Sequence, residues 1–321
     1  MFRAERALAT IVAVVVALAG PPGVGAGTLV LNRQFIEKQK NRATIDIRFT
    51  VYKSHEKPNS IGNDGDDGDL HFAGISPQVG LPMVSEIVNA KQATQQGAVL
   101  LVRGEAKKKE ADKQALELRG AWRLWFEHPP AGGKEQRQFD QNDPVKPPTN
   151  TNPDHMFEIH PVSGVGSLSV LAAFKPVPGF TAYDADTAFS YFDKLRCTVQ
   201  KNGNAVSIIS PKSKYNYVEF VMELMRDPKE NTAKDGYLEL AIVRTAEGNP
   251  ASKLNRRMVF VKGTPAAEIL KTKKKGDRLR VLGIPRINLE EISTIAAHVN
   301  NVGEKAELPY EMIIVAVIAE L

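Results

Sequence analysis

The sequence predicts a mainly β chain of two successive domains, the first a small closed barrel of the OB type, and three observations carry that expectation. Short stretches alternate apolar and polar residues with the two-residue period of half-buried strands. Clusters of Gly, Pro and Asn separate them, as turns between strands require. The chain has 321 residues, 42% of them hydrophobic, and one cysteine, so it has the length for two packed cores and must rely on them.

The first residues have another use. Arg3 and Arg6 precede an apolar run from Ala7 to Gly20, and Val24-Gly25-Ala26 offers the small residues that a signal peptidase reads. Residues 1–26 are therefore expected to be a cleaved leader. The run is about 14 residues, short of the roughly 20 that a spanning helix needs. No cysteine follows it to carry a lipid. A soluble protein outside the cytoplasm, periplasmic or secreted, without a membrane anchor is the expectation.

The first domain is expected over 27–176. Its strands are read at Thr44 to Val51, Leu70 to Ile75, Met83 to Val88, Ala115 to Phe126 and His155 to Val162, with a long Pro/Asn-rich loop from Pro129 to Pro153. Five strands and one long loop suit a barrel, since closure removes exposed edges. Pro176 to Gly179 marks the boundary. The second domain, 184–321, opens on a helix from Asp184 to Leu195 with Phe189, Phe192 and Leu195 on one face. Strands follow at 197–200 and 205–209 about a Lys201-Asn202-Gly203-Asn204 hairpin, then at 217–225, 237–244, 257–262, 278–282 and 310–319. Thr264-Pro265 caps and opens a second short helix to Leu270. No internal repeat of fixed period is visible.

Charge excludes little and supports less. The leader takes two arginines and one glutamate from totals of 42 basic and 37 acidic side chains, leaving a slight positive excess. Nucleic acid stays open as a partner, unsupported by net charge, because the compact basic runs, Lys107 to Lys109 and Lys271 to Arg280, read as solvated surface. Cys197, where a helix enters a strand, reads as a buried, inert thiol.

The informative polar residues are Asp67-Gly68-Asp69-Leu70-His71, Glu86, and His155-Met156-Phe157-Glu158-Ile159-His160-Pro161. Strand periodicity puts Asp69 with His71, and Glu158 with His160, so each segment offers one carboxylate and one imidazole from a single face. The DGDLH stretch, the strand holding Glu86 and the Glu158-Ile159-His160-Pro161-Val162 stretch resemble a group of small exported bacterial domains of uncharacterised function. Those domains carry similar DGDxH and ExHPV strands in an OB or staphylococcal-nuclease-like barrel. The resemblance covers roughly residues 40 to 170. The chain departs from it in the Pro129 to Pro153 loop and in the Trp122-Arg123-Leu124-Trp125 strand, and residues 190 to 321 have no such counterpart. What it implies is fold more than activity.

Two readings of Asp69, His71, Glu86, Glu158 and His160 stand side by side. They converge at the barrel mouth as general acid and base or as a metal site, with His71, Glu158 and His160 as ligands to a divalent ion such as zinc or manganese. Alternatively they satisfy one another as a structural network. The spacing matches no zinc signature, and no nucleophile elbow, phosphate loop or dinucleotide fingerprint is present. The leading expectation is a non-enzymatic exported binding protein of unknown ligand; the alternative is a metal-dependent, nuclease-like hydrolase. Three weaker features complete the reading. Trp122 and Trp125, three apart, cannot both face out of a strand. Asn63 to Asp69 has the acid and glycine density of a calcium loop but Gly74 where an EF-hand places its glutamate. His55, His128 and His298 show no partners in sequence.

Overall fold

The alternation between residues 44 and 162 becomes a closed barrel. The computed structural model describes residues 26–62, 67–92, 96–138, 145–229, 233–299 and 303–321. The expected leader, apart from Ala26, and positions 63–66 of the acidic turn lie outside the described residues. In chain order the first elements are β1 (Ala26–Asn32), α1 (Arg33–Gln39), β2 (Thr44–Ser54), β3 (Leu70–Ile75) and β4 (Pro82–Ile87). Next come α2 (Gln96–Asp112), β5 (Ala115–His128), β6 (Glu135–Arg137), β7 (His155–Val165), β8 (Leu168–Ser169) and β9 (Tyr183–Asp184). Strands β2, β3, β4, β7 and β5 pair in that order, and β5 returns to β2. Neighbours are antiparallel except β4 and β7, which run parallel with Met83 opposite Phe157. With α2 between the third and fourth strands, this is the OB-like arrangement expected. Phe49, Phe72, Met83, Leu118, Leu124 and Phe157 are sealed from solvent in its core.

The remaining elements are α3 (Ala185–Phe192), β10 (Arg196–Asn202), β11 (Ala205–Pro211), β12 (Val218–Leu224), β13 (Gly236–Arg244) and β14 (Arg256–Val261). They end with α4 (Pro265–Leu270), β15 (Arg278–Ile287), α5 (Leu289–His298), β16 (Glu304–Glu307) and β17 (Tyr310–Glu320). Strands β12, β13, β14, β17 and β15 close a second five-stranded barrel. Here too the third and fifth strands, β14 and β17, run parallel, and α4 sits between the third and fourth. The chain thus repeats one topology. The repeat lies in hydrogen-bonding order and leaves no period in the residues.

Local chemistry explains the elements read correctly. Asp184 accepts the Thr187 amide at 2.8 Å to start α3, and Thr264 accepts that of Ala267 at 3.2 Å to start α4 ahead of Pro265. At the β10–β11 turn, Gly203 adopts φ 58°, the left-handed value that favours glycine. The helix count needs correction: α5 joins α3 and α4 in the second segment, and α1 and α2 lie in the first. Helix α2 escaped detection because Val99, Val102 and Ala106 face the core while Leu100 and Leu101 stay exposed, which blurs the apolar stripe.

A third sheet, ordered β16-β10-β11-β1-β6, joins strands from both segments. The barrels also meet directly. Asp235 accepts the amides of Ala43 (3.1 Å) and Thr44 (2.8 Å), the Thr44 hydroxyl (2.6 Å) and Arg42 Nε (2.9 Å). Arg286, wholly buried, donates to the carbonyls of Arg42 and Trp122 and stacks 3.6 Å from the Trp122 ring. Both indoles are therefore core groups: Trp122 donates to Arg42 O at 2.9 Å, and Trp125 packs edge-on to Phe192.

Candidate metal centre

Three strands of the first barrel deliver the site. Pairing of β3 with β4 sets His71 opposite Glu86. Pairing of β7 with β4 and β5 sets Glu158 between Val84 and Arg123. The two-residue period then puts His160 on the same face as Glu158, their Nδ1 and Oε2 atoms 3.4 Å apart. All five side chains singled out in the sequence converge. Asp69, at the foot of β3, lies 3.3 Å from His160 Nε2; Glu86 lies 3.3 Å from His160 Nδ1 and 3.5 Å from His71 Nε2.

His160 is the buried hub. Its Nδ1 faces Glu86 and Glu158, while its Nε2 faces Asp69 and lies 3.0 Å from the Tyr217 hydroxyl. Burial would lower its pKa, but Glu86, Asp69 and Glu158 outweigh burial and raise it well above the ordinary imidazole value. Both His160 nitrogens thus face polar partners, Nδ1 two carboxylates and Nε2 a carboxylate and a hydroxyl. His71, Glu158 and His160, the ligand set expected from the sequence, fall in three different groups of close donor atoms among the described residues. Tyr217, just before β12, donates to Asp69 at 2.6 Å, so the second segment completes the network.

Glu158 belongs partly to the frame of the barrel. Arg123 donates to its Oε2 at 2.5 Å, and to Glu127 at 2.7 Å and Pro285 O at 3.0 Å. Burial pushes Glu158 up, yet Arg123 and the hydrogen bonds from His155 and His160 hold it well below the usual carboxylate range. The same cross-strand pair recurs in the second barrel, where Arg286 of β15 stands opposite Glu311 of β17 and donates to it at 2.6 Å. There Arg257 adds a second guanidinium to Glu311 and no histidine takes part.

Glu86 has no such support. It is 6% exposed, and among the described residues no donor lies in hydrogen-bonding geometry with it; its polar neighbours are the two imidazole nitrogens already named. Burial, reinforced by Glu158 and Asp67 and opposed by His160, raises its pKa well above the carboxylate value. Asp67 is likewise pushed up to about 7 by burial and the nearby Asp69. Burial and the neighbouring imidazoles of His55 and His160 bring His71 down to about 3, so His71 is neutral. Its Nδ1 is buried without a hydrogen-bond partner among the described residues.

Three groups bring ligand atoms within 4.8 Å of one another: Asp67, His71 and Glu86; Asp69, Glu86 and His160; and Glu86, His155 and Glu158. Glu86 is common to all three. The first borders an open cavity of about 470 Å³, whose wall also includes Asn59, Glu127, His128, Asn216 and Tyr217. Among the described residues no lysine or arginine lines it. Neither tryptophan caps it.

Sequence reasoning missed Asp67, His155, Arg123 and Tyr217 as members, along with two stacked imidazoles. His55 stacks on His71 with centroids 4.8 Å apart, and His128 on His155 at 4.9 Å, so neither is partnerless. Only His298 among the six histidines lies elsewhere, bonded to Thr294 O. The basic runs are paired surface: Lys107 with Glu56, Lys273 with Glu320, Arg278 with Glu223 and Arg280 with Glu219. Cys197 is buried, and burial pushes its thiol up to about 11.

No family model matches the chain, and no curated protein matches it. Among solved structures, a murine DNA-binding protein bound to double-stranded DNA aligns with 11% identity over 84% of this chain and 93% of that chain. Its TM-score is 0.19, too slight a likeness to bear on fold or function.

Proposed function

We propose that this chain is an exported binding protein whose first barrel holds a divalent cation through Asp67, His71 and Glu86 and presents it to a ligand in the adjoining cavity. The observation that carries the reading is Glu86: a buried carboxylate without a hydrogen-bond donor among the described residues, shared by every candidate ligand group. A cation would displace protons from the two raised carboxyls, and the neutral imidazole offers it a lone pair. Mixed imidazole and carboxylate donors suit zinc or manganese. The residue pattern of positions 1–26 supports export, and no described helix is long and apolar enough to cross a membrane.

The cavity's acidic lining speaks against nucleic acid as the ligand of the metal-free protein, since phosphates need cationic partners. A second reading, a metal-dependent hydrolase, draws on the open space beside the donors, because catalytic metals keep a free coordination position. Chelator-stripped protein titrated with Zn²⁺ in a calorimeter tests the first reading. Saturable binding that His71→Ala and Glu86→Gln abolish is expected; absence of binding refutes it. Metal-dependent cleavage of a generic phosphoester or ester by the loaded protein would favour the hydrolase.

A further inference from the structure

We infer that the cluster takes a second divalent cation, held by His155, Glu158 and Glu86, with Glu86 bridging it to the cation at Asp67 and His71. This rests on the reading above. The three donor groups are buried, with ligand atoms within 4.8 Å of one another. The orientation of His155 is that of a ligand. Its Nδ1 donates to the Pro153 carbonyl at 2.7 Å, which fixes the ring and directs Nε2 at Glu158 Oε1, 3.0 Å away.

Glu158 divides its two oxygens. Oε2 takes Arg123 and His160, while Oε1 faces His155 alone among the described residues. His155 Nε2 and Glu158 Oε1 share one hydrogen bond, and a cation held with Glu86 would displace its proton and take both atoms as ligands. His128, stacked on His155 at an interplanar angle of 19°, keeps the imidazole plane in place. In the remaining group, Asp69 with Glu86 and His160, the Tyr217 hydroxyl already bonds Asp69 and His160 Nε2. Two cations sharing one carboxylate would make the acid-lined cavity attractive to an anionic ligand such as a phosphate ester.

The test uses the full chain, stripped with chelator and titrated with Mn²⁺, with bound metal counted after equilibrium dialysis and the loaded protein followed by electron paramagnetic resonance. Two ions per chain and an exchange-coupled signal are expected. His155→Ala and His71→Ala should each bind one ion with an isolated-ion signal. One ion in the wild type, unchanged in His155→Ala, overturns the second site and leaves the first standing; no ion overturns both. Two ions without exchange coupling put the second away from Glu86 and also overturn the inference. Should circular dichroism show His155→Ala unfolded, the wild-type count and coupling decide alone.

Discussion

Replacing Glu86 by glutamine keeps the size and shape of the side chain and removes its capacity to ionise. In metal-free protein the wild-type carboxyl is buried with no hydrogen-bond donor among the described residues, and burial raises its pKa well above the ordinary value. From about pH 4 upward the unfolded chain has lost the Glu86 proton while the folded chain keeps it, so folded stability falls as pH rises through that window. Glutamine carries no such proton. Each pH unit over which the folded chain keeps a proton that the unfolded chain has lost costs the wild type about 1.4 kcal/mol, which sets the scale of the relief. Glu86→Gln should therefore match the wild type near pH 4 and exceed it by about 1 kcal/mol at pH 8 in chelator, as measured by urea denaturation. Added zinc should reverse the order, since a ligand at a hundredfold excess over Kd contributes about 2.7 kcal/mol to the protein that binds it. A variant less stable than wild type by more than about 1 kcal/mol at pH 8 without metal would refute the reasoning. It would make Glu86 an ionised structural partner of His160.

Arg123→Met strips a buried carboxylate of its cation and should cost about 3–5 kcal/mol, whereas Arg123→Met with Glu158→Leu should recover most of that loss in the same denaturation assay. Asp235→Ala leaves the Ala43 and Thr44 amides without their acceptor at the junction of the barrels and should cost about 2–5 kcal/mol, read as a lower urea midpoint. Gly120→Ala would place a Cβ 2.4 Å from the Pro161 carbonyl, so the variant should lose about 1–3 kcal/mol and bind zinc more weakly as β7 shifts beside His160. Asp193 is held below the usual carboxylate range because the Lys253 amide, Tyr310 and Arg256 outweigh its burial. Its contribution is complete above about pH 4 and lost as pH falls further, so Asp193→Asn should flatten the acid limb of a stability-against-pH curve.

Strand periodicity made the barrels legible because a half-buried strand writes its two faces into alternate residues, as at Thr44 to Val51 and His155 to Val162. The same rule brought Glu158 to His160, whereas the DGDLH and EIHPV stretches meet across β4, which pairs between β3 and β7. Hidden features depend on what periodicity does not encode. Strand β1 completes a sheet whose other members come mostly from residues after 195, so nothing near it in sequence signals its partner. Helix α2 shows two exposed leucines where an amphipathic pattern needs polar groups. Duplication of the barrel is written in pairing order alone. In the site, Tyr217 reaches Asp69 from 148 residues away, and Arg123 stands in a strand whose two tryptophans signal packing. Asp67 was legible as part of an acidic turn, but its burial was not. His155 carried the one usable signal, an imidazole at the start of the strand that holds Glu158 and His160.

The central claim is that Asp67, His71 and Glu86 form a cation site at the wall of the cavity. An anomalous-difference map from crystals of the zinc-loaded full chain tests it most directly. A peak is expected about 2.0–2.2 Å from one donor atom of each of those three residues. A map in which zinc sits elsewhere, with the Glu86 carboxylate still uncoordinated, would contradict it.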